Sequence, residues 1–339
     1  MGDNREIDER EFPRDGTMFL KLRFALRYAL LAPSSHNSQP WRFLVGDNSI
    51  TVIADRARAL PVVDPYDREL VISCGAALVN LCVALAHFGI GVDIEALPAE
   101  ADPDMLAVLK VRADRAPDAH LARLFPAISR RTTNRGAYES SLVPPELQDR
   151  LRAEAAALGV TLASPATTEQ AARIADLVTE ADTLQFADPR FRRELAAWIH
   201  PRRALDGMPA YALGLPGLLD FEVPIVGMVL RTFDVGTGVA ARNAALVQGS
   251  PLLLCFATAA DKAPDWLFAG QALQRVLLLA CLEGYEASYL NQPIEVTGLR
   301  ESLRQALQLA EYPQLLIRLG KGAPPAAHTP RRPIEDVAA

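Results

Sequence analysis

Cysteine is scarce in this sequence, and the short signatures of several familiar enzyme chemistries are missing. There are four cysteines in 339 residues, and Cys74, Cys82, Cys255 and Cys281 stand singly among apolar neighbours. No C-x-x-C and no histidine spacing suited to zinc accompanies them, so buried free thiols are expected. G-x-S-x-G, the P-loop and G-x-G-x-x-G are all lacking, which removes the sequence-marked hydrolase, phosphate-loop and Rossmann readings. Basic charge is not in excess: 35 Lys and Arg against 41 Asp and Glu leave a net −6, which offers no footprint for nucleic acid or an anionic membrane. No run reaches the roughly 18–20 uninterrupted apolar residues of a spanning helix. Met1–Asp15 is charged and lacks the apolar core of a signal peptide. A cytoplasmic protein with a small-molecule partner is expected.

Half of the residues are hydrophobic, and the length suits two domain-sized units. Residues 17–31 repeat apolar positions at helical spacing and stop at Pro33. Trp41–Val45 and Ser49–Ala54 read as strands around a Gly-Asp-Asn turn, and residues 70–88 as a strongly apolar helix after a Pro-rich loop at 61–65. That helix has a counterpart. "CGAALVNLCVALAHFGI" (74–90) aligns without a gap to "AGQALQRVLLLACLEGY" (269–285), pairing Gly75 with Gly270 and Gly89 with Gly284 at a constant offset of 195. An apolar strand precedes each copy, "SITVIAD" and "SPLLLCFAT"; chance recurrence in an Ala-rich chain is the alternative. Between the copies lie a helix-rich connector (145–200) and an apolar insert (200–238) broken by Pro201, Pro209, Pro216 and Pro224, which cannot be one long helix. A cap over a pocket, an arm on a partner subunit and a plain excursion all remain open for it.

Three polar stretches stand out. In "LLAPSSHNSQPWRF" (30–43), Ser34, Ser35, Asn37 and Gln39 place four uncharged hydrogen-bonding side chains within six residues, suited to a heteroaromatic ring or simply to a turn and helix cap. "RRTTNR" (130–135) offers guanidinium forks and hydroxyls suited to phosphate, or a solvated surface. "TPRRPIEDV" (329–337) is either a disordered tail or a segment that folds back onto a phosphate site.

Together these residues resemble the nitroreductase family of FMN-dependent oxidoreductases, whose A-P-S-x-x-N-x-Q-P-W motif is matched nearly letter for letter by "APSSHNSQPW". The layout is similar to the Acg-like branch, with two nitroreductase-like halves in one chain, and the resemblance spans roughly residues 17–337. It implies an α+β fold, a nitroreductase-like α/β/α sandwich with a central mixed, mainly antiparallel sheet, duplicated as an intramolecular pseudo-dimer. The halves would be 16–125 and 126–339, the second carrying a lid insert near 200–238.

The family's FMN lies between two subunits. Here the first half has the A-P-S-x-x-N loop but "DGTMFLKLR" where R-R-S-x-R should stand, while the second has "RRTTNR" and the offset places "MVLRTFD" (228–234) where its loop should be. One flavin site per chain is therefore expected.

The resemblance assigns the FMN phosphate to Arg131 with Arg331, a family serine's role to Thr133, and the ribityl chain and N1–O2 edge to Arg135. Pro33, Ser34, Ser35 and Asn37 would cross from the first half. Gln292, Pro293, Ile294 and Glu295 resemble the P-I-E-G stretch whose backbone faces flavin N5, with Val296 in place of its glycine. No separate catalytic side chain and no metal are implied. The activity implied is ping-pong hydride transfer from NAD(P)H through FMN to a nitroaromatic or quinone-type acceptor, by a monomer or weak homodimer. An FMN-storing protein with a closed lid is the alternative, and an empty fold a third.

Overall fold

A computed structural model of the chain describes residues 7–98, 102–200, 204–209, 223–232, 234–323 and 328–339. Helix α1 (Met18–Ala29) starts where the Thr17 hydroxyl accepts the Leu20 N–H, and its helical spacing buries Leu22, Ala25, Leu26 and Ala29. β1 (Trp41–Val45) and β2 (Ser49–Ala54) follow at the expected bounds, with Trp41 and Phe43 alternating into the core. Then come α2 (Arg68–His87), β3 (Val92–Ala96), β4 (Met105–Val111) and two single turns, α3 (Ala119–Ala122) and α4 (Phe125–Ile128). The connector holds α5 (Pro145–Ala156), β5 (Val160–Ala163), α6 (Thr168–Ala187) and α7 (Pro189–Ala197). The rest comprises α8 (Val223–Thr232), α9 (Gly236–Gln248), β6 (Leu252–Thr258), α10 (Ala263–Leu282), β7 (Glu286–Tyr289), α11 (Gln292–Glu295), α12 (Leu299–Ala306) and β8 (Tyr312–Gly320).

The strands form two four-stranded sheets of equivalent order, β1-β2-β4-β3 and β5-β6-β8-β7, antiparallel at every named pairing. Each sheet has one register shift, on β2 and on β6. Among the described residues, parallel pairing is confined to isolated bridges such as Phe43 with Ala338 and Thr133 with Ala287. Between the sheets α2 and α10 cross in contact. A Cβ on Gly75 would collide with the Leu267 carbonyl, and a Cβ on Gly270 with the Ile72 carbonyl. Residues 72 and 267 are themselves 195 apart, so the contact is reciprocal, as at a two-fold interface. Beside the crossing, Gln274 Nε2 donates to Asn80 Oδ1 at 2.6 Å.

One continuous core joins the two sheets and both long helices, from Phe12 to Val337. By length and composition alone α2 could cross a membrane, but it is the buried centre of this core. The four cysteines are free, and burial pushes the Cys82 and Cys255 thiols up to about 12.

Three points sharpen the sequence reading. The connector is not purely helical, because β5 supplies an edge strand to the second sheet. Residues 201–203, 210–222 and 233, with Pro201 and Pro216, lie outside the described residues; the described end of the insert forms α8, followed by α9. The C-terminal stretch folds back along β1, where Phe43 N–H donates to Val337 O at 2.7 Å and Val45 N–H to Ala339 O at 2.9 Å.

Candidate functional site

α1 ends in a loop that the chain holds in an uncommon shape. His36, Asn37 and Gln39 all have left-handed backbones, with φ of 53°, 53° and 52°. Each non-glycine residue there costs about 1–2 kcal/mol, and hydrogen bonds hold two of them in place. Asn37 Nδ2 donates to Gly207 O at 2.9 Å and Pro330 O at 3.1 Å, while its Oδ1 accepts from Arg331 at 3.0 Å. Gln39 N–H donates to Ser34 Oγ at 2.9 Å, and Gln39 Oε1 accepts the Arg332 N–H at 2.9 Å. The first polar stretch is thus pinned to the third.

The second stretch meets them. Arg131 donates to Leu31 O at 3.4 Å and Arg331 to the same carbonyl at 3.3 Å, so two buried guanidiniums converge where α1 ends. Residues 132–136 run beside β7: Asn134 N–H donates to Ala287 O at 2.9 Å and Thr132 Oγ1 to Glu286 at 3.0 Å. From β8 the buried Arg318 donates to Asn134 O at 3.1 Å and Gly136 O at 2.7 Å. Arg135 is held below the usual guanidinium range by burial and by the charges of Arg242 and Arg318. A cationic end results.

Carboxyls and amides line the remainder. Glu69, at the start of α2, accepts from Ser35 Oγ at 2.5 Å and from Asn291 at 3.3 Å. Asp182 on α6 accepts from Asn243 at 2.8 Å and Gln292 at 3.2 Å, and burial pushes it up to about 6. Glu295 accepts from Gln185 at 2.6 Å; burial, with the Glu69 charge, raises it well above the carboxylate range. Asp182 and Glu295 therefore retain protons at pH values where free carboxyls have lost them.

These groups surround a cavity of about 560 Å³, within the size range of small-molecule and cofactor sites. Of the expected site residues, Pro33, Ser34, Ser35, Asn37, Arg131, Thr133, Arg135, Gln292, Glu295 and Arg331 line it. Pro293 and Ile294 are buried and do not; Ile294 packs in a separate apolar cluster with Leu290 and Leu316. Buried polar atoms of lining residues without a hydrogen-bond partner among the described residues include His36 Nε2, Tyr289 Oη and Gln292 Oε1. Phe186, Phe191, Leu195, Met208 and Val239 complete an apolar wall.

The sequence reading passed over Glu69, Asp182, Tyr289, Arg242 and Asn243, all of which line the cavity. Asp182 carries a usable signal, a carboxylate flanked on α6 by the buried apolar face of Val178, Ala181 and Phe186.

No protein-family model matches the chain. Among curated relatives, the protein provisionally named NAD(P)H nitroreductase Rv3131 of Mycobacterium tuberculosis (strain ATCC 25618 / H37Rv) is 32% identical over 321 residues, covering 93% of this chain and 90% of its own. The similarly named acg protein of that strain is 29% identical over 329 residues, covering 93% and 94%. PigM of Serratia sp. (strain ATCC 39006), another provisionally named NAD(P)H nitroreductase, is 26% identical over 332 residues, covering 92% and 91%. Among solved structures, the FMN and NADPH-dependent nitroreductase NfnB from sphigopyxis sp. strain HMH is 18% identical and covers 63% of this chain and 96% of its own, with a TM-score of 0.42. A Bacteroides fragilis nitroreductase with bound FMN is 12% identical and covers 62% and 94%, with a TM-score of 0.37.

Proposed function

Since the chain belongs to the nitroreductase family, we propose that it is an FMN-dependent NAD(P)H oxidoreductase with one flavin site per chain, formed between two fused halves, 16–125 and 126–339. The observation that carries this reading is the meeting of the Pro33–Asn37 loop, the Arg131–Arg135 segment and Arg331 around one cavity.

The lining residues fit a mononucleotide. Arg131 and Arg331 would hold the phosphate, since charge-assisted bonds from guanidinium to phosphate are among the strongest available to a protein. Thr133 adds a hydroxyl. Arg135 would place its charge at the ribityl and N1–O2 edge, where a fixed cation favours the reduced, anionic ring. Pro33, Ser34, Ser35 and Asn37 would meet the ring and ribityl hydroxyls, and the backbone of Gln292–Glu295 the N5 side, where Val296 replaces the family glycine. The Tyr289 and Gln292 oxygens, without a hydrogen-bond partner among the described residues, are groups that a polar ligand would satisfy. When bound, FMN supplies two-electron chemistry, taking hydride from NAD(P)H and passing electrons to a nitroaromatic or quinone-type acceptor in a ping-pong cycle. The protein's part is to bind, orient and exclude water, with no side chain required as a proton donor of its own. The equivalent strand orders and the reciprocal glycine crossing support the fused-dimer division, in which one chain suffices for a site.

Arg131→Glu should yield a folded, colourless protein where the wild type is yellow, with circular dichroism confirming the fold; a fully yellow variant refutes the phosphate assignment. A second reading, FMN storage under a closed cover, is favoured by the anchoring of residues 204–209 over the loop: Gln39 donates to Leu205 O at 3.0 Å and Asn37 to Gly207 O at 2.9 Å. Stopped-flow mixing with NADPH and NADH separates the two. Bleaching within seconds supports a reductase; none over many minutes supports storage.

A further inference from the structure

We propose that His36 is the uncharged contact through which this cavity recognises the amide-like edge of a heteroaromatic ring, a role apart from anion binding by the arginines. The proposal rests on the flavin reading above. His36 lines the cavity, and its Nε2 is buried without a hydrogen-bond partner among the described residues. A buried polar atom left so is unfavourable, and the left-handed backbone at φ 53° adds to the cost. Asn37 and Gln39 share that strained backbone but spend their side chains tying the loop to Gly207, Pro330 and the 331–332 segment. Among the described residues, His36 Nε2 ties nothing. A residue that carries two penalties and repays neither among the described residues is placed for a ligand.

The chemistry of that ligand follows from the imidazole's state. Burial, helped by the nearby Arg135 charge, pushes His36 down to about 4, so at neutral pH the ring is uncharged, with one N–H and one lone pair. Such a group is a poor partner for a phosphate dianion. It is a good one for a conjugated carbonyl or ring N–H, which can accept from or donate to a neutral imidazole. Two molecules at this site carry that edge, the flavin ring itself and the carboxamide of a nicotinamide lying over it.

The test uses the full chain with its flavin removed and then restored. Wild type, His36→Phe and His36→Gln are titrated with FMN and with riboflavin, which lacks the phosphate; the FMN-loaded proteins are then titrated with nicotinamide, followed by the flavin absorption band. If the flavin ring is the partner, His36→Phe weakens FMN and riboflavin by the same factor, about tenfold. If the carboxamide is the partner, flavin binding holds and the nicotinamide response weakens about tenfold. In either case His36→Gln recovers most of the loss. His36→Gly separates ligand binding from a structural role: relieved of backbone strain, the flavin-free variant melts no lower than wild type while still binding weakly. A His36→Phe protein that matches wild type in all three titrations overturns the proposal alone. A wild-type chain that takes up neither FMN nor riboflavin overturns the flavin reading, and this inference with it.

Discussion

In the first sheet β2 is followed by a long apolar helix, and in the second β6 is followed by another; the two helices cross through Gly75 and Gly270. The loops are not alike. The polar Ser34–Asn37 stretch lies in the long connection from α1 to β1, whereas β5, which takes β1's place in the second sheet, is joined to α5 by residues 157–159 alone. A two-fold packing contact can survive only if each half keeps the same small residue at the crossing, because either Cβ would meet the partner's backbone. A binding site between the halves is under no such constraint. One copy can keep a pinned loop ahead of its edge strand while the other joins helix and strand by a short turn.

The most damaging way to probe this contrast is at the crossing. Gly75→Ala and Gly270→Ala should each lower stability by about 3 kcal/mol, since the added methyl meets backbone that cannot rotate away. Unfolding free energies from urea titration that differ by more than about 1 kcal/mol between the pair would break the reciprocity. Comparable in size but confined to one side is Arg331→Ala. It removes donors to Asn37 Oδ1, Leu31 O and Ala32 O, at 3.0, 3.3 and 3.2 Å, for a loss of about 3 kcal/mol. Amide exchange should speed up at residues 31–39 while β6 and β8 stay protected.

The acidic end offers a smaller, pH-dependent test. Asp182 has a folded pKa of about 6, raised from 3.8 mainly by burial. The folded state therefore holds its proton more tightly than the unfolded chain does. Its contribution is fully present below about pH 4 and is lost as pH rises through 6, by at most about 3 kcal/mol. Asp182→Asn should remove that part of the decline, and an unchanged pH profile of melting temperature would refute the burial argument. The weakest expected effect is the coupling between Asn80 and Gln274, about 1 kcal/mol from a double-mutant cycle. It sharpens the picture of a symmetric core that tolerates an asymmetric polar pair.

Much of this was legible before any coordinates. Period-two burial made β1 and β2 readable to the residue, and the helical repeat exposed the α2–α10 relation. The ten residues of "APSSHNSQPW" marked the loop. What could not be read came from elements whose chemistry depends on neighbours remote in sequence. β3 and β5 are short, and β3 is half polar, so their patterns are too brief to separate from turns. Glu69 sits at the head of an apolar helix, and only the approach of Ser35 and Asn291 makes it part of a cavity. Tyr289 lies on a four-residue strand and meets the arginines only because residues 132–136 run beside β7.

The bond from Arg331 to Asn37 joins positions 294 apart. A growing polypeptide makes its polar loop early and waits for almost everything else before that loop can be locked. Both sheets can have formed by residue 320, yet the pocket still lacks one of its walls. Any ligand held there must wait for Arg331, so cofactor loading reports on both regions of the sequence rather than on the first alone.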